Sequence, residues 1–315
     1  MRVAVSAASG LIGSALAADL EADGADVLRL VRRAARSPAE ISWNPQAGAD
    51  GLDPAVLRGV DAVVHLSGAP VAARRWTPAR KTVLRSSRIQ STRTIASAMA
   101  AADPKPGSLL CASAIGYYGD TGDQTVDERA PGGAGFLADL VRDWEAAAEP
   151  ARAAGIRVAS FRSGIVLATG GGMLGRLLLP FRLGLGATLG SGRQYLSWIS
   201  LTDEVRAIRF LLSSADATGP FNLTAPAPVT NSQFTKALAA VLRRPALLNL
   251  PAVVLRTALG EVAGELLGSA RVIPGRLEAT GFSFAHRDIV TALRAELSVQ
   301  AAGGSRESRK SSGYD

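Results

Sequence analysis

Cysteine, histidine and long apolar runs are scarce in this chain. Cys111 is the only cysteine among 315 residues, which excludes an intrachain disulfide and a cysteine-rich metal site. Two histidines, His65 and His286, are too few for a histidine-based metal site, so we expect no metal. No apolar run reaches the ~20 residues that a membrane-spanning helix needs. The apolar start of the chain is typical of a buried strand rather than a signal peptide, and we predict a cytoplasmic protein without a membrane partner.

Acidic residues are outnumbered, and their distribution is uneven. Lysine and arginine total 35 against 27 acids, which gives a net charge of +8 and favours anionic partners. No acid lies between Asp61 and Asp103, although this stretch carries many arginines. Such a run indicates either a solvated helix face or an anion site. Because the chain has no helix-turn-helix, zinc-finger or RNP-like string, we expect no nucleic-acid partner.

Apolar residues are plentiful, and they recur in a regular order. Hydrophobic residues make up 47% of the chain and the mean hydropathy is +0.17, which excludes a disordered chain. Strands are predicted at 2–6, 27–31, 60–66, 108–113 and 157–167. Helices are predicted after the first strand and at 78–102, 136–154, 202–213, 231–242, 251–267 and 285–297. This alternation predicts an α/β fold, a doubly wound parallel sheet covered on both faces.

A phosphate loop is predicted where the first strand meets the first helix. The turn reads Ala7-x-x-Gly10-x-x-Gly13, and amide groups at a helix N-terminus bind a diphosphate. Gly10 allows close approach of the backbone, and Gly13 allows the helix to pack on the strand. Ala7 replaces the usual first glycine, at a cost of about 1 kcal/mol if φ is positive there. The alternative is a tight turn without a ligand. The predicted cofactor contacts in this loop are Ala7, Ser9, Gly10, Leu11, Ile12 and Gly13.

The end of the second strand indicates which cofactor is bound. An acid there selects the ribose hydroxyl of NAD, but this chain has Arg32 and Arg33, which suit the 2′-phosphate of NADP. The alternative is two ordinary surface arginines. We therefore predict NADP (NADPH) as the cofactor. Further predicted cofactor contacts are Leu66, Ser67, Gly68, Arg88 and Ser113.

Several ordered strings carry a family resemblance. They are VVHLSGAP at 63–70, RWT at 75–77, SRI at 87–89, SAIGYYG at 113–119, RDWE at 142–145, GLG at 184–186, GSGRQ at 190–194, SWI at 197–199 and NLTAP at 222–226. Over about residues 1–298 the chain resembles the epimerase-like family of extended short-chain dehydrogenase/reductases. The resemblance implies a Rossmann-like sheet, NADP binding and a smaller, mostly helical C-terminal substrate domain that starts near residue 245. It leaves a homodimer open.

The domain boundaries that follow are 1–225 for the NADP-binding domain and 226–300 for the C-terminal domain. Residues 170–200 are expected to contribute to the substrate side. The polar, glycine- and serine-rich residues 301–315 are predicted to be disordered.

The resemblance also implies a Tyr-x-x-x-Lys pair for proton transfer, but Phe136 and Leu140 occupy the corresponding positions. No other tyrosine has a lysine four residues on. Ser113 lies at the strand end where the superfamily keeps a catalytic Ser or Thr, unless Ala114 occupies that position. Tyr117 and Tyr118 are then the candidate acids. The alternative is that they pack or only bind substrate.

Substrate contacts are predicted from arginines, which bind phosphate or carboxylate, and from aromatic rings, which stack. The predicted substrate contacts are Trp76, Tyr118, Trp144, Arg193 and Trp198. For the tryptophans, interdomain packing is the alternative. We predict an NADP-binding epimerase or reductase acting on a small, anionic sugar nucleotide or carbonyl compound. The alternative is a non-catalytic NADP-binding sensor.

Overall fold

A computed structural model describes residues 1–298, and the predicted disordered tail at 301–315 lies outside them. The strands are β1 (Arg2–Ser6), β2 (Asp26–Val31), β3 (Glu40–Ser42), β4 (Ala62–His65), β5 (Ser108–Ala114), β6 (Thr125–Val126), β7 (Arg157–Ser163), β8 (Ile165–Leu167), β9 (Ala187–Leu189), β10 (Tyr195–Leu196), β11 (Trp198–Ser200), β12 (Gly219–Leu223), β13 (Val229–Thr230), β14 (Leu248–Leu250) and β15 (Arg271–Val272). The helices are α1 (Leu11–Ala22), α2 (Pro78–Ala101), α3 (Phe136–Ala146), α4 (Glu149–Ala153), α5 (Gly172–Arg182), α6 (Leu201–Ser213), α7 (Asn231–Leu242), α8 (Ala252–Leu259), α9 (Val262–Leu267) and α10 (Gly275–Ala279), with a further helix at 289–298.

Seven parallel strands form the central sheet in the order β12-β7-β5-β4-β1-β2-β3. The chain leaves β1 toward β2 on one side, and later returns to place β4 on the other side. The strand order therefore reverses between β1 and β4. In open parallel sheets this switch point opens a crevice at the carboxyl ends of the strands, where ligands bind.

Helices cover both faces of the sheet, which confirms the predicted doubly wound α/β fold. On one face, α1 and α6 bury Leu16, Leu20 and Ile208 against the strands. On the other face, α2 buries Ile95 and Met99. Strands buried on both faces need apolar side chains along their central positions, and residues 3–5 of β1 and 62–64 of β4 meet this requirement.

A third apolar core lies in the helix-rich C-terminal part. Leu178 of α5, Trp198 of β11, Phe234 of α7 and Leu293 of the last helix pack together there. Residues 277–284 return to the core that α1 and α6 cover, because Leu277 and the following phenylalanines are buried in it. The described chain contains no helix that is long and apolar enough to cross a membrane.

Two of the predicted helices are interrupted. The segment 251–267 forms α8 and α9 because Gly260, at φ 63°, ends the first of them. The segment 136–154 likewise forms α3 and α4. The short strands β3, β9 and β14 and the helix α5 have no counterpart in the sequence-based prediction.

Candidate functional site

The loop between β1 and α1 has the geometry of a phosphate cradle. The Gly10 amide donates to the Ala7 carbonyl over 2.8 Å, and Ala7 has φ 52°, the strained conformation considered from the sequence. A Cβ at Gly13 would lie 2.3 Å from the Ala7 oxygen, so only glycine fits there. Gly10 caps α1 without a side-chain bond, and the first turn has no acid. These amides and the helix dipole therefore suit an anion.

The two arginines after β2 have different environments. Arg33 binds both carboxylate oxygens of Glu40, at 2.8 and 2.6 Å, and these hydrogen bonds lower the pKa of Glu40 to about 2. Arg32 is exposed and has no polar side-chain partner within residues 1–298. Of these two arginines, Arg32 is therefore the one that can bind a ligand without breaking an ion pair.

Arg88 of α2 is a buried cation at the same edge of the sheet. Its side chain is 8% exposed, lies against Gly68 and places its guanidinium 5.0 Å from the centre of the Trp144 ring. Its hydrogen bond goes to the Leu84 carbonyl, and no carboxylate in the described part of the chain neutralises it. Burial and the charge of Arg80 lower the pKa of Arg88 to about 10.

The residues after β4 are held by Ser6 at the end of β1. The Ser6 hydroxyl accepts from the Leu66 amide and the Ser67 hydroxyl, and it contacts His65 Nδ1 at 2.8 Å. His65 Nε2 lies 3.1 Å from Ser91, and burial lowers the pKa of this histidine to about 3. His65 is therefore a neutral core residue that fixes the loop near the phosphate cradle.

A polar network begins at Ser113, near the end of β5. Its hydroxyl donates to Glu145 over 2.6 Å, and Glu145 forms a bidentate ion pair with Arg162 of β7 at 2.8 Å for both bonds. Ser113 and Arg162 are adjacent in strand register, so both point to the face that α3 covers. Burial opposes the charge on Arg162, but Glu145 raises the pKa of this arginine above its usual value.

The two tyrosines that follow β5 differ in how their hydroxyls are used. Tyr118 is buried, donates to Asn222 over 2.8 Å and accepts from Arg162 over 3.0 Å. Burial raises the pKa of Tyr118. The Tyr117 ring lies under the Arg162 guanidinium, with its centre 3.4 Å away. Its hydroxyl makes no hydrogen bond within the described residues, so it is available to a ligand.

Comparison with known families decides the assignment. The model of the NAD dependent epimerase/dehydratase family matches residues 3–224. The chain belongs to this family. A domain of unknown function, DUF1731, matches residues 250–296.

Relatives in this epimerase family match nearly the whole chain. The epimerase family protein Mb2239 of Mycobacterium bovis is 51% identical over 292 residues, which cover 92% of this chain and 96% of that protein. SDR39U1 of Bos taurus is 37% identical over 300 residues, with 93% and 99% covered. The crystal structure of human SDR39U1 with NADPH matches with a TM-score of 0.85 and 33% identity, covering 94% and 98%. The resemblance seen in the sequence is thereby confirmed.

Apolar packing surrounds positions 136 and 140, where the family resemblance implies a Tyr-x-x-x-Lys pair. Phe136 stacks edge-on against Trp76, with ring centres 5.1 Å apart. Leu140 is buried in the same cluster with Leu84 and Val262 of α9. Neither position can transfer a proton, so any acid–base group must lie elsewhere.

The predicted substrate contacts do not converge on one place. The indole N–H groups of Trp76, Trp144 and Trp198 donate to Val71, Thr92 and Ala227 respectively, and all three rings are buried. The Arg193 side chain is exposed. Substrate contact stays a prediction for these four residues.

Glu204 is a buried acid at the carboxyl edge of the sheet that the sequence-based prediction did not include. Glu204, in the first turn of α6, is 0% exposed, and its Oε1 accepts from Ser163 Oγ over 2.5 Å. Its Oε2 has no partner among the described residues, and burial raises its pKa to about 8. Arg162, near the end of the strand segment VASFRS, was missed as well. A charged residue close to the carboxyl end of a central strand was the available signal.

Proposed function

We propose that this protein is an NADP(H)-binding epimerase or reductase that acts on a small, anionic sugar nucleotide or carbonyl compound. Arg88 carries the proposal. A buried cation without an anionic partner is costly, and a cofactor pyrophosphate beside Gly68 and the α1 N-terminus supplies the anion. NADP(H), when bound, accepts or supplies the hydride. The NADPH in the structure of the human relative supports a phosphorylated cofactor.

In this proposal, Arg32 recognises the 2′-phosphate. The guanidinium is free, it follows β2, and it forms charge-assisted bonds to a phosphate. Arg33 keeps its ion pair with Glu40 and contributes little.

Tyr117 is the proposed proton donor or acceptor. The guanidinium of Arg162 stacks on its ring and holds the phenol in place, while the Tyr117 hydroxyl has no other partner among the described residues. Ser113 directs its own proton to Glu145, so its lone pairs are available to a substrate hydroxyl. Tyr118 is a positioning residue because its hydroxyl is already shared between Asn222 and Arg162.

A non-catalytic NADP-binding sensor is the second candidate function. The apolar packing of Phe136 and Leu140 favours it, because the usual proton-transfer pair is absent. A sensor needs the cofactor half of the site but not a free Tyr117 hydroxyl.

Cofactor preference is tested by calorimetric titration with NADPH, NADP, NADH and NAD. We expect Arg32→Ala to weaken NADPH binding by about 10- to 100-fold, since it removes a charge-assisted bond, and to leave NADH binding unchanged. Arg33→Ala is the matched control, with the same charge change beside it, and should have little effect. Equal affinities of the wild type for NADPH and NADH would contradict the NADP assignment.

Catalysis is tested by exchange of a deuterium label between NADPH and a panel of sugar nucleotides and carbonyl compounds. We expect Tyr117→Phe to lower the exchange rate by about 100-fold or more, because it removes the acid–base group, whereas Tyr118→Phe retains more activity. NADPH binding without exchange on any substrate would support the sensor instead.

A further inference from the structure

Exposed apolar side chains are concentrated on one part of the surface. Among residues 1–298, eleven large hydrophobic side chains are exposed, and eight of them lie in the segments 179–185 and 247–254. Leu183 is 65% exposed, Val253 69% and Leu247 88%. Scattered exposed leucines are ordinary, but such a concentration marks an interaction surface.

The two segments are neighbours in space. Strand β14 pairs in parallel with β9, with Leu248 opposite Ala187. A Cβ at Gly184 would lie 3.6 Å from Pro245, so the end of α5 adjoins the start of the second segment. We name the surface that residues 179–185 and 247–254 form the apolar face.

The segments that form the apolar face and the chain beside them carry only basic charge as far as Glu261, which follows the end of α8 and pairs with Lys81. Residues 217–260 contain no acid, and neither do residues 150–202. Arg244 precedes Leu247 by three residues, and Arg256 follows Val253 by three residues on one side of α8. Both arginines are exposed. An apolar surface with basic residues at its border matches the interface of an anionic lipid bilayer.

From this match we propose that the apolar face docks the protein on the surface of an anionic lipid bilayer. The prediction of no membrane partner rested on the absence of a spanning segment, and a docking surface needs none. Two copies joined symmetrically through this face would oppose arginine to arginine, which disfavours a dimer there. The polar sequence of residues 299–315 does not match an apolar face. Side chains that are two-thirds exposed project outward and do not enclose a small ligand.

The test is flotation of the purified full-length protein with vesicles of phosphatidylcholine alone or with one-third phosphatidylglycerol. We expect flotation with the anionic vesicles only, and its loss in 0.5 M salt. The double variants Leu247→Ser/Val253→Ser and Arg244→Gln/Arg256→Gln should each lower binding by about tenfold or more. NADPH titration of the same samples reports whether each variant is folded at the cofactor site.

Val56→Ser/Arg58→Gln is the matched control. It removes one exposed apolar residue and one exposed arginine from the turn before β4, outside the apolar face, and should leave flotation unchanged. Absence of wild-type flotation would overturn the proposal. Equal loss of flotation in the control would overturn it too, as would a dimer in sedimentation equilibrium that Leu247→Ser/Val253→Ser dissociates without any vesicle binding.

Discussion

Two serine–glutamate pairs lie at the carboxyl edge of the sheet, one on each face, and they differ in one neighbour. Ser113 donates to Glu145, which is also bound by Arg162. Ser163 donates to Glu204, which has no cation among its described contacts. Because Ser163 follows Arg162 on β7, its side chain points to the opposite face, toward α6.

The arginine is what distinguishes the surroundings of the two acids. Glu145 forms a bidentate ion pair with Arg162, with two charge-assisted hydrogen bonds. Without a cation, burial raises the pKa of Glu204 to about 8, so this acid is mostly protonated at pH 7. The same two residue types thus make a charged pair on one face and a neutral pair on the other.

Replacing Arg162 should remove the difference between the two pairs. We expect it to have the largest effect on stability. Arg162→Leu leaves the largely covered Glu145 without a cation, and we expect the free energy of unfolding at pH 7 to fall by about 3 kcal/mol. Urea denaturation measures it. Arg157→Leu is the control, because this arginine of the same strand binds only carbonyl groups in the described structure. Equal losses in the two variants would show that the ion pair between Glu145 and Arg162 adds no stability beyond that of ordinary hydrogen bonds.

Neutralising Glu204, the acid without a cation, should change the free energy of unfolding by a smaller amount and in the opposite direction. The folded state holds the Glu204 proton to about pH 8, whereas the unfolded state releases it near pH 4.5. This residue therefore lowers stability progressively as pH rises from about 4.5 to about 8. We expect Glu204→Gln to stabilise the protein by about 2 kcal/mol at pH 8 and to change little at pH 4.5.

Thermal melting between pH 4.5 and 8 measures this difference. Glu145→Gln serves as the control, because it removes a paired carboxylate and should destabilise the protein at neutral pH. A stability gain for Glu204→Gln that does not grow with pH would mean that Glu204 is ionised throughout this range.

The contrast between the two pairs also shows which features of the molecule can be predicted from its sequence. The glycine turn between β1 and α1 was predictable because Gly10 and Gly13 act within one local turn, and the alternation of elements predicted the sheet. The position of Ser113 beside Arg162 was not predictable, because these residues become neighbours only through the pairing of β5 with β7. A glutamate in a sequence also does not reveal whether a cation lies beside it. The absence of a cation beside Glu204 among the described residues could therefore be seen only in the structure. The strands β9 and β14 are too short to leave a periodic pattern.

The position of β12 at the sheet edge has a consequence for biosynthesis. The predicted phosphate loop, Arg32 and Arg88 all precede residue 102, whereas the Tyr118 hydroxyl donates to Asn222 on β12, the last strand of the sheet in chain order. Synthesis from the N-terminus therefore produces every residue proposed for cofactor binding before it produces the acceptor of the tyrosine beside the proposed proton donor.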